Sequence, residues 1–383
     1  MVTLTESCFW VCLLVGLYPY AGYPFCVAFL KAIRPRPVRS AAITPAVTVV
    51  ISAYNEAAHI DATVRNKLAQ DYPPDLLEVI VASDGSNDGT DAVLTQLSQE
   101  VLRVGFFRQE PRSGKTAALN SLVQRARGEI VVFADANSIY RTDTVRNLVM
   151  PFADPSVGYA SGRMLYVNQQ GSLVGDGCSA YMRYENRLRG YESAIGSVVG
   201  ADGGVDAVRR SLYQDMRPDQ LPDFVLPLAV VEQGHRVVYV PQAVLQEEAL
   251  TGESAEYRMR IRVALRALWA LWDKRALLNP LRFPLFSWQL LSHKVLRYLS
   301  FLPLVVAATL NWTLLPHGWI YGLLAVGQIC LVLLALLARG GPLRNFALAR
   351  LCYYFLLLNW ASAVALFRFL RGQKQVLWQP RTG

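Results

Sequence analysis

The stretch Glu129 to Tyr140 reads EIVVFADANSIY, an apolar run from Ile130 to Ala134 that stops at Asp135-Ala136-Asn137. This is the pattern of a buried strand releasing a carboxylate and an amide at its carboxyl end, where an open α/β sheet keeps its ligand site. Hard divalent cations take clustered oxygen ligands and leave their other positions to phosphate and water, so Asp135 with Asn137 is a candidate metal site facing a diphosphate. The plain alternative is a turn or helix-capping Asp. Two more acids end apolar runs in the same way. Glu56 follows Val47 to Ala53, and Asp84 follows Leu77 to Ala82. Three acids arriving at one sheet edge point to a shared site.

The elements that must position them follow from pattern. Val47–Ala53, Leu77–Ala82, Val101–Phe107 and Ile130–Ala134 read as strands, and amphipathic stretches from Ile60 to Gln70, after Thr90, and from Thr116 to Ala126 read as helices between them. That alternation predicts an α/β fold with a parallel doubly wound sheet. Further on, a strand is expected over Val157–Arg163, a long helix from Gly175 to Ser193, a helix over Val225–Gln233 and a strand over Val237–Pro241. Arg183, Arg187 and Arg189 on the long helix read as a solvated face. Arg112-Ser113-Gly114-Lys115 looks like a shortened phosphate-binding loop, but position 109 is Gln where the full motif needs Gly, which argues against a nucleoside triphosphatase.

The succession YNE, SDGSNDGT, RSGKTAALN and FADAN resembles the nucleotide-binding half of family 2 inverting glycosyltransferases of the GT-A fold. It is particularly similar to the membrane-bound branch that includes cellulose, hyaluronan and poly-N-acetylglucosamine synthases, over Val47 to Arg275. The resemblance implies that Glu56 and Asp84 contact the uridine of a UDP-sugar, and that Lys115 lies near the nucleotide or its phosphates. It also implies that Asp135 and Asn137 stand for the metal-binding Asp-Xaa-Asp, with Mg or Mn as the cation. Asn137 departs from that pattern, because an amide oxygen brings no charge. Gly200, Asp202 and Gly203 match the acceptor loop, and Asp223 in Leu221-Pro222-Asp223 takes the place of the general base. Arg262 matches the diphosphate-binding Arg, with Met259 where relatives carry Gln and Val263 where they carry Trp. The implied activity is transfer of a sugar to a lipid-linked or growing glycan in polysaccharide synthesis of the cell envelope. A small processive synthase that also secretes its polymer, alone or with an oligomeric or secretion partner, is the alternative enzyme; a nucleotide-binding transporter or scaffold is the alternative of another class.

Composition adds the membrane. Of 383 residues 53% are hydrophobic, and uncharged stretches run from Ser7 to Leu30 and from Tyr298 to Ala338, the latter broken at Pro316-His317-Gly318. Spanning helices of about 20 residues fit these as one anchor and a pair, with Phe346–Phe367 as a third carboxyl-terminal segment. The expected layout is an anchor over 7–30, a soluble domain over 46–254, amphipathic interface helices over 255–297 and membrane helices over 298–370. Lys31, Arg34, Arg36 and Arg39 directly after the anchor favour a multi-pass inner-membrane protein with a cytosolic domain and its amino terminus outside. Three later spans would then leave the carboxyl terminus outside, against the preference of Arg368, Arg371 and Lys374. The net charge of +9 suits an anionic leaflet and an anionic substrate, and no nucleic-acid motif accompanies it.

Overall fold

The structure is a computed structural model that describes residues 4–167, 173–248, 253–343 and 346–375. Eight strands form one sheet: β1 (Val47–Ala53), β2 (Leu77–Ser83), β3 (Val104–Arg108), β4 (Ile130–Asp135), β5 (Ile139–Tyr140), β6 (Val157–Val167), β7 (Val205–Arg209) and β8 (Arg236–Glu248). Their order is β3-β2-β1-β4-β7-β6-β8-β5. The first four are parallel, and β1 and β4, at the centre, are buried on both faces. The register sets Ser52 of β1 beside Asp135 of β4, and Ala53 beside Ser83, the residue before Asp84.

The four strands expected to be parallel are so, and beyond β4 the sheet becomes mixed. β7 runs antiparallel to β4 and β6, with Val205 paired to Ala134. The physical reason is the approach of the chain. β7 enters the sheet from the carboxyl end of β4, and that entry lays Gly203-Gly204 against Asp135.

Helices α3 (Ile60–Leu68), α4 (Thr90–Glu100) and α6 (Thr144–Val149) cover one face, over a core that includes Val49, Ile51, Val79 and Val132. The other face buries Val50, Val131 and Phe133 against α5 (Lys115–Arg125), α8 (Pro222–Glu232) and α9 (Glu253–Asp273). Alternate residues of β1 and β4 thus feed opposite cores. α7 (Leu173–Ile195) packs against α2 (Tyr23–Ile33), which a π turn at Tyr18–Gly22 joins to α1 (Leu4–Leu17).

Among the described residues three helices are long and apolar enough to cross a membrane: Leu4–Ile33, Trp319–Arg339 and Ala347–Leu370. The first part of the stretch from Tyr298 forms only a short helix, α12 (Phe301–Thr313). It joins Pro284–Leu299, which contains α10 (Pro284–Leu290), a π segment at Leu291–Val295 and α11 (Leu296–Leu299), through a bend of 55°. α12 runs antiparallel to α1. A Cβ on Gly16 would meet Leu304 at 2.7 Å, Phe9 packs with Ala307, Leu314 and Tyr321, and the Tyr321 hydroxyl lies 3.4 Å from Glu6. α13 (Trp319–Gly340) then returns.

α14 (Ala347–Leu370) follows α9 along its length. The Tyr354 hydroxyl donates to Glu256 at 2.7 Å, Ala365 packs on Ala264, Leu265 and Leu268, and the Phe369 and Trp269 rings are 4.6 Å apart. Beyond the helix, Trp269 Nε1 donates to the Gln373 carbonyl at 2.9 Å and Lys374 pairs with Asp219 at 2.7 Å.

Candidate active site

The carboxyl ends of β1 and β4, the loop before β7, the start of α8 and one face of α9 enclose a cavity of about 300 Å³. Glu56, Lys115, Asp135 and Asn137 line it from the sheet side. Gly200, Asp202, Gly203, Asp223 and Arg262 line it from the loop and helix side. Nine of the ten site residues expected from sequence therefore meet in one place.

Asp84 stands behind the wall. Its Oδ1 accepts from Gln109 Nε2 at 2.6 Å and the Ser113 amide at 2.8 Å, and its Oδ2 accepts from the Gly114 amide at 2.9 Å. The carboxylate thereby fixes the loop that starts α5, and Gly114, at φ +90°, aims Lys115 at the cavity. Arg112 from the same loop stacks over Tyr54, 3.4 Å from its ring centre.

Lys115 forms an ion pair with Asp135. Burial works against its charge, but Asp135, Asp223 and Asp206 outweigh it and hold the ammonium above its ordinary range. Gly204, at φ +89°, leaves open the flank of Asp135 where a Cβ would sit 2.7 Å from Oδ2. Asp135 and Asn137 thus offer hard oxygen donors with space beside them, which fits Mg or Mn. Among the described residues no group of three metal-ligating side chains forms, so phosphate oxygens and water would complete the shell.

Asp223 occupies the first turn of α8, and its Oδ1 is buried without a hydrogen-bond partner. Burial raises its carboxyl, while Lys115 and Arg266 pull it down. Glycine at 203 permits this packing, since a Cβ there would lie 2.9 Å from Asp223 Oδ2. Pro227, inside the same helix, has no N–H to give the Asp223 carbonyl four residues back, and the Ala201 amide bonds that carbonyl at 3.3 Å instead. The loop from Gly200 to Gly203 is fastened to the backbone of Asp223.

Several residues escaped the sequence reading. Arg189 is buried and paired with Asp202, which corrects its reading as a solvated arginine; Arg183 and Arg187 are exposed as expected. Asp206 on β7 is 1% exposed, and burial holds its carboxyl well above the usual range, with Asp223 and Asp202 adding to the shift. Its signal was an acid inside the apolar strand VDAVR. Arg266 donates to the Asp219 carbonyl at 3.2 Å and Thr116 Oγ1 at 3.2 Å, and burial lowers it to about 10. Glu247 also lines the cavity, whereas the Glu248 side chain lies outside the described residues.

Lys67 of α3 is fully buried beneath the Asp135–Asn137 loop. Its Nζ donates to the Ser138 carbonyl at 2.5 Å and sits 3.9 Å from the centre of the Tyr140 ring. The Tyr140 hydroxyl in turn reaches the carbonyls of Phe133 at 2.9 Å and Gly204 at 2.6 Å. Burial pulls Lys67 down to about 7, with Asp135 opposing.

Residues 48–215 match the family model described as glycosyl transferase family 2. A beta-monoglucosyldiacylglycerol synthase of Synechocystis is 34% identical over 127 residues, which is 33% of this chain and 26% of that protein. The probable glycosyltransferase YdaM of Bacillus subtilis is 25% identical over 276 residues, 68% of this chain and 64% of that one. The chain spans 26% to 36% of the length of the first curated relatives it matches. Among solved structures, the mannosyltransferase PcManGT from Pyrobaculum calidifontis, in complex with GDP-Man and Mn2+, superposes with a TM-score of 0.71 at 25% identity. That likeness covers 97% of this chain and 100% of that one.

Proposed function

We propose, from the match of residues 48–215 to the family model described as glycosyl transferase family 2, that this chain is a membrane-bound inverting glycosyltransferase. It moves a sugar from a nucleoside-diphosphate sugar, UDP-linked by the reading of its motifs, to a hydroxyl of a lipid or lipid-linked glycan at the membrane surface. The observation that carries the mechanism is the buried, unpartnered Oδ1 of Asp223 in the same cavity as Asp135 and Lys115. In an in-line displacement the acceptor oxygen bonds the anomeric carbon, its proton passes to Asp223, and the bond to the diphosphate oxygen breaks with its electron pair leaving on the nucleotide. Lys115 and Arg262 stabilise the charge that develops on the diphosphate. Held by Asp135 and Asn137, Mg or Mn would supply further charge against that leaving group. The glycolipid name of the Synechocystis relative supports a lipid acceptor, and the GDP-Man complex of the archaeal neighbour is the reason to test guanosine donors beside uridine ones.

A cytosolic domain on an inner membrane follows the charges after the anchor. In this proposal α1–α2 enters, the bent pair ending in α12 leaves, α13 returns, and α14 lies along α9 in the interface. The support is the contact between Glu6 and Tyr321 at one level and the contacts of α14 with α9 at both of its ends.

The test is Asp223→Asn in the full chain. Nucleotide release with acceptor should fall about a hundredfold or more while UDP or GDP binding persists. Near-normal transfer by that variant would refute Asp223 as the base, and no nucleotide release by the native protein with any UDP- or GDP-sugar would refute the function.

A further inference from the structure

The basic side chains that line the cavity differ in how they are engaged. Lys115 is paired with Asp135, Arg189 with Asp202 and Arg260 with Glu256, and Arg266 is bonded to backbone carbonyls. Arg262 is also engaged. Lys294 lines the same cavity and, among the described residues, has neither a hydrogen bond nor an ion pair. Its Nζ lies 5.8 Å from the centre of the Phe224 ring, next in sequence to Asp223, and 3.1 Å from where a Cβ on Gly200 would stand.

The carboxylates that could have paired with it are committed elsewhere. Glu185 binds Arg297 and His293, and Glu192 binds His293 at 2.7 Å and the Tyr23 hydroxyl at 2.5 Å. Burial opposes the Glu185 charge, but Arg297 and His293 prevail and hold its carboxyl well below the usual range. Lys294 is therefore a side chain without an ion pair at the cavity wall, its neighbouring carboxylates engaged by Arg297, His293 and Tyr23.

Its place along the chain gives the ligand's depth. Lys294 belongs to the π segment Leu291–Val295, seven residues before the apolar helix α12 begins at Phe301. That is about 10 Å of helix, so a lipid whose chains lie beside α12 would carry its headgroup level with Lys294. π segments recur at functional sites because the extra residue turns a side chain out of helical register.

We propose that Lys294 forms an anion subsite beside Asp223, and that the acceptor is a lipid whose headgroup carries a phosphodiester next to the accepting hydroxyl, as in a phosphoglycerol or phosphoinositol lipid. This rests on the glycosyltransferase reading and narrows its acceptor. Lys294 pairs with the phosphate, and the neighbouring hydroxyl is then held where Asp223 receives its proton as the oxygen bonds the anomeric carbon and the nucleoside diphosphate departs. A point charge on a flexible stem suits a phosphate whose orientation varies with the lipid.

The experiment uses the full chain in phosphatidylcholine vesicles containing phosphatidylglycerol, phosphatidylinositol or uncharged diacylglycerol, with the UDP- or GDP-sugar that the protein consumes. The expected result is transfer to a phosphate-bearing lipid in preference to diacylglycerol. Lys294→Gln should raise KM for that lipid about tenfold with little change in kcat, and Lys294→Arg should restore it. Binding of UDP and GDP measured by calorimetry should be unchanged in both variants, which also reports that they are folded. Equal or better use of diacylglycerol, an equal effect of Lys294→Gln on both acceptor types, or loss of nucleotide binding would overturn the proposal. Transfer only to a soluble glycan would overturn it while leaving the glycosyltransferase reading intact; absence of nucleotide release with every donor and acceptor would remove both.

Discussion

Asp223 and Asp206 line one cavity and burial raises both carboxyls, yet they are placed for different work. Asp223 has Lys115 and Arg266 to pull its proton off, whereas burial shifts Asp206 well above the usual range against the opposition of Ser161 and Arg189. In our reading the first acts as an acceptor of protons and the second as a neutral polar group. An unfolded aspartate titrates near about 3.9. Asp206, with its folded value above that, contributes stability at low pH that is lost as pH rises toward the folded value. Asp206→Asn mimics the protonated form and removes this dependence. The variant should keep transfer within about threefold of the native rate, and its melting temperature relative to native should be higher near about pH 8 than near about pH 5. Thermal scans at the two pH values check the sign. The acids at strand ends were legible because each terminates an apolar run. Asp206 and Arg189 were not, since a single strand or helix does not tell which of its polar residues finds a partner inside.

At the scale of elements, the sequence marked β1, β2 and β4 by their apolar runs, and α9 begins within two residues of where the amphipathic stretch was expected to start. The reversal of β7 was hidden, because direction in a sheet depends on the route of the preceding chain rather than on the strand's own residues. The role of α3 was hidden for the same reason. Its Lys67 looked like one polar residue of an amphipathic helix, and the fold turned it inward to hold the Ser138 carbonyl one residue beyond Asn137. If that contact positions the cation-binding loop, Lys67→Met should keep the fold, as a linear side chain of similar length with no buried charge. It should also raise the Mn concentration for half-maximal nucleotide release about tenfold. A metal titration unchanged from native would remove the loop-holding role.

For the whole molecule, the conflict between three carboxyl-terminal spans and a basic carboxyl terminus disappears if α14 does not cross. Its hydropathy alone would pass for a span, but it packs along α9 and ends with Lys374 on Asp219 of the catalytic domain. Cysteines introduced at His317, Pro342 and Gln373 in a cysteine-depleted chain would report this through an impermeant thiol reagent on sealed vesicles. His317→Cys should react from the side opposite the domain, and Pro342→Cys and Gln373→Cys from the domain side. Labelling of Gln373→Cys from the side opposite Pro342→Cys would restore α14 as a crossing helix.

Such a domain, gripped by its own membrane helices, leaves little slack for adjustment, and Pro227 is where slack was traded away. A thermostability redesign would strike out that residue first, as a breaker inside α8, and would gain a helical bond to the Asp223 carbonyl. The same bond would compete with Ala201, unfastening the loop from Gly200 to Gly203 that lines the cavity. What an engineer scores as a flaw in one helix is, for this chain, a latch between two.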